Sequence, residues 1–161
     1  MLRQGWIAVA AASIPGAAAA RKGLLMTEPP MFTAVTRDVR VSVRAFYLED
    51  QSKPEEGHFV WAYRVTIENV GSLTVQLLKR SWLITDALGR TQQVHGPGVV
   101  GEQPVLEAGE SFEYTSGTPL STPSGFMRGT YHMVERDSGE AFDVAIPAFS
   151  LDSPHQGGAL H

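Results

Sequence analysis

The residues with the most obvious capacity for binding chemistry crowd into one stretch, His95-Gly96-Pro97-Gly98-Val99-Val100-Gly101-Glu102-Gln103-Pro104. Gly96, Gly98 and Gly101 form Gly-x-Gly-x-x-Gly, the spacing that lets a backbone approach the pyrophosphate of a dinucleotide. That chemistry needs a strand before the glycines and a helix after them, because the helix's N-terminal N–H groups hold the phosphate. Here Pro104 stands three residues past Gly101, Gly109 follows soon after, and no segment of helical period comes next. The nucleotide reading is therefore rejected. A weaker chemistry survives: the N–H groups of a glycine-rich turn can form a nest for an anion, although Pro97 removes one donor. The competing reading is that the glycines simply let a loop turn tightly across one end of the fold.

Other chemistry has less to stand on. His95 near Glu102 could meet a divalent cation, but a hydrogen-bonded loop histidine is the simpler account. The five histidines, at 58, 95, 132, 155 and 161, are scattered with no His-x-x-x-His pair, so no metal site is expected. Cysteine is absent, which excludes disulfides, thiolate nucleophiles and Cys-ligated clusters and fits a cytoplasmic location. Ser116-Gly117 and the stretch from Ser121 to Ser124 lack a neighbouring base and a nucleophile-elbow context, and read as turn residues. With no general acid-base pair and no cofactor motif in context, the chain is expected to be neither an enzyme nor a cofactor carrier.

Bulk properties narrow the partners. At 161 residues, 43% hydrophobic and 19% charged, the chain is one globular domain by size and composition. Its net charge is −4, but residues 1 to 26 hold Arg3, Arg21 and Lys22 and no acid, so removing those three positive charges leaves residues 27 to 161 at −7. No Lys/Arg cluster relieves that acidity, and nucleic acid is not an expected partner.

The elements that must position the glycine stretch are strands. The first 25 residues differ in kind, with an apolar run from Trp6 to Ile14, four alanines from Ala17 to Ala20 and then Arg21-Lys22. Three readings stay open for them: a weak signal, a transit peptide, or a leader before a true start at Met26. The run is far below the ~20 apolar residues of a membrane span. From residue 35 the period becomes two. Val39 to Tyr47 alternates apolar and polar positions, and Phe59, Trp61, Tyr63, Val65 and Ile67 mark the strongest strand. Leu73, Val75 and Leu77 continue until the phase flips at Leu78, after which Arg80, Trp82 and Ile84 share a parity, so a bulge is expected near Leu78 and Lys79. Asp86 to Arg90 is a hairpin loop with Gly89 suited to positive φ. Phe112 to Ser116, Met127 to Met133 and Phe142 to Ile146 complete the strands, with residues 117 to 125 expected as a crossing connection. Pro147 should end regular pairing or mark an edge. No long segment has helical period. The fold class is all-β: an antiparallel β-sandwich of about seven to nine strands.

The glycine stretch, followed by Gly109-Glu110-x-Phe112-x-Tyr114-x-Ser116-Gly117, resembles the ApaG family. Further matches are Trp61-Ala62-Tyr63-x-Val65-x-Ile67-x-Asn69, Val75-Gln76-Leu77-Leu78-x-Arg80-x-Trp82-x-Ile84, Gly125-x-Met127-x-Gly129-x-Tyr131-x-Met133 and Ile146-Pro147-x-Phe149-x-Leu151. The resemblance runs from about Val39 to Leu151 and implies a fibronectin type III or immunoglobulin-like sandwich. It assigns residues 26–152 to an ApaG domain, leaving 1–25 as a leader or mis-assigned start and 153–161 as a flexible tail. Ala108 departs from the family's usual proline in that turn. The family has been linked to cobalt tolerance and magnesium efflux, and its domain recurs in eukaryotic F-box proteins, where it looks like a protein-recognition module.

The resulting expectation is a non-catalytic domain that recognises a protein partner through one end of the sandwich, with His95, Gly96, Gly98, Gly101, Glu102 and Gln103 as the contact residues. The alternative is a small-anion or divalent-cation sensor in cation homeostasis. No membrane partner is expected, and an edge strand could pair with a second copy as a homodimer.

Overall fold

A computed structural model describes residues 28 to 156. The expectations for residues 1–25 and for the tail beyond Gln156 lie outside the described residues. The described residues form nine antiparallel strands: β1 (Phe32–Thr36), β2 (Val39–Tyr47), β3 (Phe59–Asn69), β4 (Val75–Asp86), β5 (Thr91–Pro97), β6 (Val105–Leu106), β7 (Ser111–Leu120), β8 (Gly125–Glu135) and β9 (Ala141–Leu151). Two single-turn 3-10 helices, Glu49–Gln51 and Pro54–Glu56, lie between β2 and β3. One sheet has the order β1-β2-β3-β7; the other runs β5-β4-β8-β9 with β6 paired to β4. The seven-strand frame, β2-β3-β7 over β5-β4-β8-β9, is a fibronectin type III-like sandwich, extended by β1 and β6.

Alternation puts one residue in two on the inner face, and the strands that alternate best hold the core. Val39, Val41 and Val43 of β2 pack with Trp61, Tyr63, Val65 and Ile67 of β3, and from the other sheet with Trp82, Tyr131, Met133, Val144 and Phe149. Each large apolar side chain withdrawn from water contributes about 1.5 to 3 kcal/mol. Tyr63, Trp82 and Phe149 also meet as a ring cluster, with centroids 5.4 to 6.0 Å apart.

The bulge in β4 falls where the phase flip placed it, with a register shift between Leu77 and Lys79 against β8. Val75 and Leu77 face inward before it, Arg80, Trp82 and Ile84 after it. The β4–β5 hairpin likewise follows expectation: Gly89 takes φ +83, and the Asp86 carboxylate accepts the N–H groups of Leu88 and Arg90. Pro147 lies on edge strand β9, in the irregular stretch where Phe149 pairs Met127 but Ile146 pairs Gly129.

Three features differ from expectation. β1 precedes the first expected strand and pairs with β2 from Phe32↔Val43 to Thr36↔Val39. β6 is a two-residue strand that sequence period cannot reveal. β7 continues through Leu120, with Gly117 and Pro119 opposite Ala62 and Val60, so the crossing between sheets shrinks to residues 121–124. Glycine and proline there serve an edge strand, where Pro loses no ladder bond on its open side. At the end of the described chain, Trp61 Nε1 donates to Asp152 O at 2.8 Å, Ser153 Oγ donates to Pro123 O at 2.7 Å, and the His155 ring lies against Tyr47 and Phe59.

Candidate functional site

β5 delivers His95 and Gly96 to the end of the sandwich opposite Ser81 and Arg80. Beyond Pro97 the chain turns in: Gly98 is buried and donates its N–H to Leu78 O at 2.8 Å, at the level of the β4 bulge. Val99 and Glu102 then exchange both backbone hydrogen bonds at 2.8 Å. Between them Val100 and Gly101 have φ +43 and +84, the two positive values of a type I′ hairpin turn. A β-branched residue is rarely found in that region. Val100 is held there with its side chain packed against the core, beside fully buried Val99. Gly98 is required for another reason: a Cβ on it would meet Glu102 O at 2.2 Å. Gly101 sits at the exposed tip, where a Cβ would meet nothing.

The candidate residues thus divide by role. Gly98 and Gly101 shape the loop. Gln103 is exposed, yet its Nε2 donates to Leu78 O at 3.0 Å, and its carbonyl accepts from Gln76 Nε2 at 3.0 Å. Glu102 points its side chain to solvent while its backbone closes the turn. His95 is engaged by Ser81 Oγ at 3.0 Å and Gln93 Oε1 at 3.4 Å, the hydrogen-bonded state expected of it. Among the described residues no group of three His, Asp or Glu side chains could hold a metal ion. Three N–H groups of the candidate anion nest, those of Gly98, Val99 and Glu102, are committed within the protein.

Arg80 holds the loop from beneath. The bulge turns it inward, where it is 3% exposed, and its Nη1 donates to the carbonyls of Pro97 at 3.1 Å and Gly98 at 2.9 Å. Three buried phenols gather near this guanidinium. The hydroxyls of Tyr114 and Tyr131 hydrogen-bond to each other, and Tyr63 bonds Ser116. Burial pushes the Tyr63 phenol up to about 12, against the downward pull of Ser116 and Arg80. Burial raises Tyr114 and Tyr131 further, again against Arg80. The guanidinium's Nη1 is thus satisfied in the interior by two backbone carbonyls rather than by a carboxylate.

The edge of β5 is the open flank of this end. Asp86 N donates to Arg90 O and Gly98 N donates to Leu78 O, and the register between those points is unbroken. Antiparallel alternation then turns Gln92, Val94 and Gly96 toward β4 and leaves the backbones of Thr91, Gln93 and His95 facing outward. A groove of about 440 Å³ lies at the far end of the same strand, lined by Gly57, His58, Ile84, Arg90, Gln92 and Leu120 among others, and the glycine loop takes no part in it.

The outer face of this sheet brings together residues that sequence reasoning missed. Ser81 Oγ lies 2.8 Å from His132 Nε2, and His132 Nδ1 lies 2.9 Å from Asp143 Oδ1. With His95 on the far side, one polar row crosses β5, β4, β8 and β9. The sequence carries no signal for it, because the four residues belong to four strands and become neighbours only through cross-strand register.

A family model described as ApaG domain matches residues 49–135. Protein ApaG of Paramagnetospirillum magneticum is 68% identical over 126 residues, covering 78% of this chain and 96% of its own. Protein ApaG of Rhodospirillum centenum is 69% identical over 125 residues, covering 78% and 95%. A crystal structure of an ApaA protein from Bordetella pertussis superimposes with a TM-score of 0.71 at 48% identity, over 79% of this chain and 98% of that one.

Proposed function

The chain belongs to the ApaG family, and from that premise we propose that it is a binding domain that recognises a protein partner at the end of the sandwich formed by residues 95–104 and the β5 edge leading into them. One observation carries this reading: β5 is a seven-residue edge strand, Thr-Gln-Gln-Val-His-Gly-Pro, without a charged side chain, and it turns outward the backbones of Thr91, Gln93 and His95. Edge strands are commonly blunted by charge or by a covering element. An uncharged one beside a rigid loop suits strand addition, in which an extended segment gains affinity from backbone hydrogen bonds and specificity from flanking side chains. Glu102 and Gln103 would supply those side chains, and Val100 and Gly101 a fixed shape. No helix among the described residues is long and apolar enough to cross a membrane. The chain has no cysteine, and we place this recognition in the cytoplasm.

A sensor of small anions or divalent cations draws less support, because three of the loop's amides, those of Gly98, Val99 and Glu102, are committed internally and His95 is held by Ser81. The variant Gln93→Pro separates the readings. It removes one outward N–H and puts a ring on the edge while leaving the bonds to β4 intact. Affinity capture with the wild-type chain should recover a partner that Gln93→Pro loses, and identical partner sets would refute the proposal. In a parallel titration with phosphate, magnesium or cobalt, the amide resonances of Gly96, Gly98 and Gly101 should stay still; saturable shifts there would favour the sensor.

A further inference from the structure

The row on the outer face has a definite direction. Ionised Asp143 can only accept hydrogen bonds, so His132 Nδ1 is the donor and carries the ring proton. In the neutral ring, Nε2 is then an acceptor, and at 2.8 Å its partner Ser81 Oγ must be the donor. His95 Nδ1 lies 3.0 Å from the same oxygen. Proton flow is therefore aligned from Ser81 through His132 toward Asp143. A hydroxyl within hydrogen-bond reach of a base that a third group orients is the arrangement of an activated nucleophile.

The scaffold keeps it in place. Ser81 sits in the middle of β4, flanked by β5 and β8. His132 and Asp143 are directly paired across β8 and β9, and Ser81 and His132 are diagonal neighbours, since Ser81 pairs Thr130. The face is open to water: the His132 side chain is 37% and the Asp143 side chain 69% exposed. Such a surface admits small unhindered substrates and has nothing to enclose a large one.

We propose that Ser81 is a nucleophile for small activated acyl esters, with His132 as its general base and Asp143 as the residue positioning His132. In the first step Ser81 Oγ bonds to the ester's carbonyl carbon while His132 Nε2 takes the hydroxyl proton. His132 Nε2 then passes that proton to the departing alkoxide or phenoxide as the carbon–oxygen bond of the ester breaks. In the second step water bonds to the same carbon with His132 as base, the bond to Oγ breaks, and Ser81 recovers its proton. The products are a carboxylic acid and an alcohol, and no oxidant or reductant is involved.

The test uses the full chain with p-nitrophenyl acetate as substrate and a fluorophosphonate as covalent probe, the adduct being mapped by tandem mass spectrometry. The expected result is a single adduct on Ser81, none in Ser81→Ala, and labelling slowed by about 100-fold in both His132→Gln and His132→Asn. Asp143→Asn should give a smaller drop, together with loss of the Nδ1–H tautomer bias of His132 in its ring nitrogen shifts, a readout that a merely structural role would leave unmoved. All these positions face solvent, and the melting temperature of each variant confirms that it is folded. An adduct elsewhere, no adduct, equal labelling in either His132 variant, or an unbiased His132 tautomer in the wild-type protein would overturn the proposal.

Discussion

Replacing Gly98 by alanine should destabilise the protein far more than the same change at Gly101, although both glycines have positive φ and lie three residues apart. Gly98 has φ +62 and Gly101 φ +84, and an alanine in this region costs about 1 kcal/mol at either position. The surroundings make the difference. At Gly101 the new methyl meets nothing within 4 Å, whereas at Gly98 it would stand 2.2 Å from Glu102 O and 3.0 Å from Glu102 C. That carbonyl has to move, and it is the acceptor of the 2.8 Å bond from Val99 N. Moving it also strains the reciprocal bond from Glu102 N. Two backbone hydrogen bonds at about 1 kcal/mol each, added to the backbone term, give about 3 kcal/mol for Gly98→Ala against about 1 for Gly101→Ala. For a domain of this size that is about 12 °C against about 4 °C in melting temperature. Thermal melts followed by circular dichroism, with urea titrations to convert them to free energies, measure both. Equal losses at the two positions would refute the assignment of Gly98 as a close-approach glycine.

Two further outcomes follow from the buried polar cluster. Arg80→Met removes the donor to the Pro97 and Gly98 carbonyls, at about 1 to 3 kcal/mol for each acceptor left buried, partly offset by the apolar replacement; limited proteolysis should then open the chain between residues 97 and 103, and an unchanged cleavage pattern would contradict the clamp. The phenols of Tyr63, Tyr114 and Tyr131 are raised above their unfolded value of 10.0, so the stability they contribute is fully present below about pH 10 and is lost as the pH climbs through the folded values. In an alkaline absorbance titration these three should ionise together with unfolding, and smooth ionisation near pH 10 in a still-folded protein would argue against their burial.

Legibility in the sequence tracked the range of the interaction. The sandwich, the strongest strand at Phe59–Asn69 and the hairpin at Asp86–Arg90 each rest on period or turn chemistry within a dozen residues, and all could be placed in advance. The bulge at Leu77/Lys79 was visible as a change of phase. Its consequence was not: the same phase change that aligned Arg80 with Trp82 and Ile84 drove a guanidinium into the core to hold the glycine loop. Strands β1 and β6 escaped notice because one is a half-exposed edge and the other only two residues long. The glycine pattern is followed by a short strand rather than a helix, yet three residue identities could not say which glycine was needed for its φ alone and which for close approach.

What the sequence alone determined is the alternation that makes two sheets and the glycines that permit a left-handed turn, because both are properties of consecutive residues. Only the tertiary structure decided that Ser81 would meet His132 and His95, and that His132 would meet Asp143. Those meetings depend on the register between strands, and register is set by how the whole core packs rather than by any local stretch of chain.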